Sequence, residues 1–220
     1  DKSIERTCIN FMGCYGAFNA LKIADYICRA EPSAKVLIVD VELCTLHFQR
    51  ESTSKNWVAN SLFADGAAAV IVEAENSFKS GKGLMVKTFY NTLLAEARNE
   101  MAWRIGDTGF EMNLSSRIPK NISKHICSVA EQLAKKASVK KSSINQFAFH
   151  PGGRRILEVC EEMVQRPEEA LEDSYHVLKQ FGNMSSVTIL FILKKILSQS
   201  RSAEKVMSFA FGPGLTVESM

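Results

Sequence analysis

No stretch of this 220-residue chain approaches the roughly 20 consecutive apolar residues that cross a bilayer as a helix. The most apolar run, Val187 to Leu193, stops at Lys194 and Lys195 and reads as a core helix. No membrane association is expected. Charge of one sign is also scarce, with 27 basic residues against 24 acidic ones and a net charge of +3. The lysine pairs at 135–136, 140–141 and 194–195 are dispersed and read as solvated faces. Nothing there calls for a nucleic-acid partner. The six cysteines (8, 14, 28, 44, 127 and 160) form no CxxC pair, so no structural metal site is expected. Free thiols in a reducing cytoplasm are the simplest reading. An initiator Met and a signal peptide are lacking as well, and the chain opens on Asp1 in globular-looking sequence. That opening is expected of a piece of a longer protein. Asn-x-Ser sequons at Asn113, Asn121 and Asn183 carry little weight without evidence of secretion.

What is present suits a soluble globular fold of one or two domains, with 46% hydrophobic and 23% charged residues. Residues 6–12 read as a short buried strand ending at Gly13, and 14–29 as a helix with apolar positions at Phe18, Leu21, Ala24 and Ile27. The run KVLIVDVEL (35–43) is apolar enough for a strand covered on both faces. A short helix over 55–63 and a buried strand over 66–75 follow. The polar, Gly-bearing segment 76–82 is the candidate boundary between two units. Strands are expected near 83–92, 101–106 and 109–114, then a long helix from Pro119 to Lys136. A strand over 145–150, helices over 152–165, 169–181 and 184–198, and two closing strands around Gly212-Pro213-Gly214 complete the chain. Alternating strands and helices make it α/β with mixed sheets.

Three residues stand where chemistry is plausible. Cys14 follows Gly13 where a strand gives way to a helix. Backbone N–H groups at a helix start favour a thiolate, and with it a nucleophile, although a small buried apolar residue fits the position too. His150 ends an apolar strand and is held extended by Pro151 before a glycine pair. A strand-end His can act as acid, base or electrostatic partner, or be satisfied by a backbone group. Asn183 lies between Gly182 and an apolar helix, where it serves either as an N-cap or as an amide donor to an oxyanion.

The segments MGCYGAFNALK, SLFADGAAAVIVE, FHPGGRRILE, FGNMSSVTILFIL and FAFGPGLTVE occur in the order found in type III polyketide synthases, and the whole chain resembles that family. The match corresponds to roughly the last 60% of such an enzyme, so a carboxy-terminal part is expected. The front part would supply the first strands and helices, some coenzyme A contacts and part of a dimer surface. The resemblance implies a thiolase-like fold of five αβαβα layers built from two halves. Residues 1–76 would end the first half and carry the nucleophile; 77–220 would form the second.

Cys14 resembles the family's acyl-accepting cysteine, His150 the histidine of the HPGG motif and Asn183 the asparagine of GNMSS. Phe63 falls on the gatekeeper phenylalanine, and Met112 stands where a second gatekeeper aromatic is usual, which implies a more pliable cavity. Cys44, His47, Trp103 and Ser185 fall on cavity-lining positions, and Trp103 replaces a glycine of some relatives and would shorten the pocket. Gly212, Pro213 and Gly214 form the family's GPG loop, while Arg154 and Arg155 would meet coenzyme A phosphates or solvent. The implied reaction is repeated decarboxylative condensation of malonyl-coenzyme A onto an acyl-coenzyme A starter. A His150 imidazolium would hold Cys14 as thiolate. Coenzyme A thioesters enter as substrates, no permanently bound cofactor or metal is implied, and a homodimer in the cytoplasm is expected, with this 220-residue piece inactive alone. Ketoacyl synthases of fatty-acid initiation share the fold but carry His-Gln-Ala-Asn in place of His-Pro-Gly-Gly.

Overall fold

The computed structural model describes residues 2–79, 81–106, 109–164, 168–199 and 204–220. Helix α1 (Gly16–Ala30) buries Phe18, Leu21, Ala24 and Cys28 along one stripe. Strands β1 (Lys35–Glu42) and β2 (Gly66–Glu73) pair antiparallel, with Ile38 opposite Val70 and Asp40 opposite Ala68. Between them, α2 (Ser54–Leu62) starts where the Thr53 side chain accepts a hydrogen bond from the Asn56 N–H. Strand β3 (Tyr90–Leu93) precedes the hairpin β4 (Met101–Gly106) and β5 (Gly109–Leu114). Pro119 opens α3 (Ile118–Lys136), whose buried face repeats at Ile118, Ile122, Ile126, Val129 and Leu133. Then come β6 (Gln146–Phe149), α4 (Arg154–Val164), α5 (Glu172–Phe181), α6 (Val187–Gln199), β7 (Val206–Gly212) and β8 (Thr216–Ser219).

Apart from the β4–β5 hairpin, which forms a third, two-stranded sheet, two sheets and two helix layers alternate among the described residues. The mixed sheet runs β3-β8-β7-β6, with only the β6–β7 pair parallel. Its side chains divide by strand alternation. Phe147, Phe149, Phe209 and Phe211 enter one core with α3 and α4. Ala148 and Ala210 face a second core with α1 and α6. Helix α6 is apolar nearly all round, burying Val187, Ile189, Leu190, Ile192, Leu193 and Ile196, because it lies between the two sheets. The order is therefore β1–β2, then α1 with α6, then the mixed sheet, then α3 with α4.

Several expectations are corrected. Residues 6–12 form no strand, and the segment before Gly13 runs without regular structure. β1 and β2 are covered on one face only: Leu37, Val39, Val41 and Ile71 are exposed, and no described element lies over them. The strand expected over 83–92 is confined to Tyr90–Leu93. The 152–165 helix begins at Arg154, because Gly153 takes φ +153°, and its expected end at residue 165 lies outside the described residues. The helix expected over 169–181 divides into a 3-10 turn, Glu168–Leu171, and α5.

Candidate active site

Gly13, Cys14 and Tyr15 form a 3-10 turn that leads into α1. Gly13 adopts φ +67°, and a Cβ there would meet Pro213 Cδ at 2.7 Å, so glycine is demanded twice over. The turn packs on β7, where Gly212 lies so close to the Tyr15 ring that no side chain would fit. Cys14 is thereby set on the wall of a cavity of about 1070 Å³.

Asn183 reaches the same wall from another element. Its backbone N–H donates to the Leu62 carbonyl and its carbonyl accepts from Ala64, both at 2.9 Å, in a parallel bridge to Phe63. Gly182, at φ +72°, turns the chain out of α5 toward this bridge. The side chain does not cap α6, which starts four residues later at Val187. Its Oδ1 instead accepts from the Ser185 N–H at 2.9 Å. The buried Nδ2 donor makes no hydrogen bond among the described residues, yet it lies close enough to Cys14 to favour the thiolate.

His150 follows β6, fully buried, its N–H donating to the Phe209 carbonyl at 2.8 Å. Both ring nitrogens are buried without a partner among the described residues. Gly152 and Gly153 line the cavity, whereas the imidazole is not among the lining residues. Three polar atoms around the site are thus desolvated and unanswered, an arrangement that globular interiors normally avoid. For the Asn183 amide, which lines the cavity, it suits a group whose partner is a ligand.

Burial works against a charged Cys14–His150 pair. The Cys14 thiol is pushed up to about 12, mainly by loss of water. Ser185 and Asn183 pull it down and the Glu42 carboxylate pushes it further up. Burial alone drives His150 down to about 3. For Cys14 desolvation outweighs the helix-start effect, and for both groups it opposes the charged form.

Of the other expected residues, Phe63, Met112, Cys44, His47, Trp103 and Ser185 all line the cavity. Gly212 and Pro213 do as well, whereas Gly214 does not and instead supplies the positive φ of the turn before β8. Trp103 packs against His47 at 5.3 Å and Phe11 at 5.2 Å between ring centroids, and Phe11 stacks on Phe110 at 5.4 Å. Arg154 and Arg155 also line the cavity, but each is ion-paired to Glu158, at 3.1 and 2.9 Å. Of the remaining thiols, Cys28 and Cys160 are buried, Cys127 is half-buried and Cys8 is exposed.

Sequence reasoning missed Glu42, Phe11 and Arg117 on the wall, and Asp40 and Ser186 behind Glu42. A signal for the first of these existed. Within KVLIVDVE, Asp40 and Glu42 sit two apart and so share the face that also carries Ile38. Among the described residues, no group of three or more His, Cys, Asp or Glu side chains is arranged to hold a metal, and no helix is long and apolar enough to cross a membrane.

Comparison with known proteins fits this geometry. Residues 1–76 match the N-terminal domain of chalcone and stilbene synthases, and residues 85–220 match the C-terminal domain of the same family. The expectation of a carboxy-terminal part is corrected accordingly, since the chain carries sequence of both domains. It is similar to the alpha-pyrone synthesis polyketide synthase-like Pks18 of Mycobacterium tuberculosis, at 34% identity over 99% of this chain and 57% of that protein. Among solved structures, PKS-I of the brown alga Ectocarpus siliculosus superposes with a TM-score of 0.91 at 30% identity, over 99% of this chain and 60% of that one. The C-terminal type III polyketide synthase domain of Steely1 from Dictyostelium gives 0.91 at 30% identity, over 100% and 62%. The fold is thus thiolase-like. The chain spans somewhat over half the length of the relatives it matches.

Proposed function

Because the chain belongs to the chalcone and stilbene synthase family, we propose that the protein is a type III polyketide synthase that condenses malonyl-coenzyme A onto an acyl-coenzyme A starter, repeatedly and with loss of carbon dioxide. The observation that carries this reading is the site itself: a part-buried thiol on the wall of a large cavity that Asn183 also lines, with the Asn183 amide nitrogen unpartnered among the described residues. Residues 1–76 and 77–220 are assigned to the two thiolase-like halves. Cys14 belongs to the first half, and His150 and Asn183 to the second.

Cys14 sulfur attacks the starter thioester carbonyl, the bond to coenzyme A breaks, and the thiol proton ends on the departing coenzyme A sulfur. The malonyl thioester then places its carbonyl oxygen at the Asn183 amide and the His150 imidazole. As carbon dioxide leaves, the electron pair passes to that oxygen as an enolate, which donors held in a dry site stabilise. The enolate carbon attacks the Cys14 thioester, the carbon–sulfur bond breaks, and the chain grows by two carbons. Phe63, Met112, Cys44, His47, Trp103 and Ser185 shape the space for the growing chain, with Gly212, Pro213 and Gly214 in the adjoining loop. Arg154 and Arg155 would have to leave Glu158 to meet a coenzyme A phosphate. A homodimer working in the cytoplasm remains part of this proposal, with coenzyme A thioesters as its substrates.

The test is release of labelled carbon dioxide from malonyl-coenzyme A by the whole protein, with mass spectrometry of products from a panel of acyl starters. Cys14→Ala is expected to abolish extended products. Unchanged product formation by that variant would remove the nucleophile assignment.

A further inference from the structure

The apolar run of β1 is broken by two carboxylates on its inner face, Asp40 and Glu42, opposite the small residues Ala68 and Gly66 of β2. Both meet one residue just before α6. The Ser186 hydroxyl lies 2.9 Å from Asp40 Oδ1 and at closer range to Glu42 Oε1, and the Ser186 N–H donates to the same Glu42 oxygen at 3.2 Å. One hydroxyl carries one proton and cannot serve two carboxylates at once. The other Asp40 oxygen, Oδ2, is buried with no partner among the described residues. An unanswered carboxylate oxygen is far costlier to bury than the carbonyl oxygen of a neutral acid. All of these contacts are satisfied together if Asp40 holds a proton on Oδ1 and donates it to Ser186, while Ser186 donates to Glu42. Burial and the neighbouring Glu42 do push Asp40 up to about 6, against the pull of Ser186.

Glu42 and Asp40 differ in what they face. Glu42 lines the cavity and raises both Cys14 and Cys44 by its charge, whereas Asp40 does neither. The other titratable groups near the cluster are few. Cys14 comes from the turn before α1, Cys44 from the turn after β1, and Asp65, which acts on Cys44, is held by Thr45. β2 presents Ala68 and Gly66, and α6 approaches with Ser186, so neither adds a charge.

We propose that Asp40, Ser186 and Glu42 form a proton relay that, while Asp40 holds its proton, discharges Glu42 as negative charge develops on Cys14. The Asp40 proton passes to Ser186 Oγ as the Ser186 proton passes to Glu42 Oε1. Two O–H bonds break, two form, and one negative charge moves from the cavity wall to Asp40 behind it. The thiolate then no longer faces a carboxylate. Asp40 and Ser186 are positioning residues, acting on Cys14 only through Glu42. The inference rests on Cys14 being the reactive thiol. Its test reads thiolate directly, so it can fail independently of the condensation reaction.

The test is the alkylation rate of Cys14 by iodoacetamide in the whole protein at about pH 5.5, where Asp40, raised to about 6, still holds its proton, resolved by mass spectrometry of the Cys14 peptide after long incubation. Glu42→Gln removes the opposing charge and is expected to speed alkylation about tenfold, one pKa unit. Asp40→Asn keeps the shape and a donor to Ser186 but has no transferable proton, so alkylation slows several-fold. Ser186→Ala slows it alike, and Ser186→Thr, which restores the hydroxyl, returns it to near the wild-type rate. In the Glu42→Gln background, Asp40→Asn has no further effect. Buried Cys160 is the folding control, because unfolding speeds both thiols whereas loss of the relay slows Cys14 alone. A wild-type rate in Asp40→Asn, or an undiminished effect of that change in the Glu42→Gln background, overturns the relay.

Discussion

The β1–β2 sheet and the mixed sheet are built from similar sequence and end in opposite situations. VMSFAFG of β7 buries every residue after Val206, with phenylalanines toward α3 and α4 and small residues toward α6. KVLIVDVE of β1 buries one face, and on the other Leu37, Val39 and Val41 stand exposed. The difference shows what an apolar run establishes. It marks a strand, but whether both of its faces are covered depends on which elements lie over it. The open sheet also carries the polar cluster of the site on its inner face, while the closed sheet carries the packing that holds His150.

The largest contrast should come from the closed sheet. Phe209 is fully buried and stacks on Phe149 at 4.7 Å. Phe209→Ala is expected to cost about 3–5 kcal/mol, read from denaturant unfolding. A loss below about 1 kcal/mol would mean that this sheet is no better packed than the other.

A second contrast is in pH, and its signs oppose. His150, after β6, falls from its usual range to about 3. The unfolded chain therefore binds that proton first, and stability is lost as pH drops from about 6.5 toward 3. Asp40, in β1, is raised to about 6. Its contribution is present below the usual carboxylate range and lost as pH rises through 6. His150→Gln should flatten the acid limb by on the order of 3 kcal/mol and expose the opposite slope of Asp40 between about 4 and 6. An acid limb unchanged by that substitution would place the imidazole in contact with water.

Lys22 of α1 and Glu218 of β8 join the helix under the open sheet to the closed sheet, at 2.9 Å, with Glu218 nearly buried and also bonded to Asn91. Lys22→Met leaves the carboxylate without its cation. The loss expected is about 2 kcal/mol, less than for a fully buried pair because the lysine is partly exposed and Asn91 remains. Adding Glu218→Gln should recover part of it, and no recovery would show that the pair contributes through packing alone.

Much of this was legible in the sequence because local chemistry decided it. Pro119 marked the start of α3, and the 3.6-residue apolar spacing of α1 and α3 matched the faces they bury. Cys14 and Asn183 were singled out by neighbouring glycines, and those glycines do turn the chain at the wall. What local chemistry did not decide was misjudged. Residues 6–12 join no strand among the described residues, and the electrostatics of Cys14 and His150 depend on desolvation by distant segments, which no spacing records. Asn183 as a helix cap was reasonable from its position. Only the bridge to Phe63 shows why its amide is turned elsewhere.

The smallest effect gives the sharpest comparison, because it uses two adjacent residues of one strand. Ile38 is 7% exposed and Val39 66%. Placing a hydroxyl at position 38 puts it in the core with α1 and α6, where an unpaired hydroxyl and lost methyl contacts together cost about 2–3 kcal/mol. The same change at position 39 meets water on an open sheet face and should stay within about 0.5 kcal/mol. Threonine keeps the β-branch, so strand propensity barely enters at either position. If Val39→Thr instead costs as much as Ile38→Thr in the whole protein, that face is covered in solution. β1 would then be the two-sided strand its composition suggests, and the contrast between the sheets would belong to these 220 residues alone.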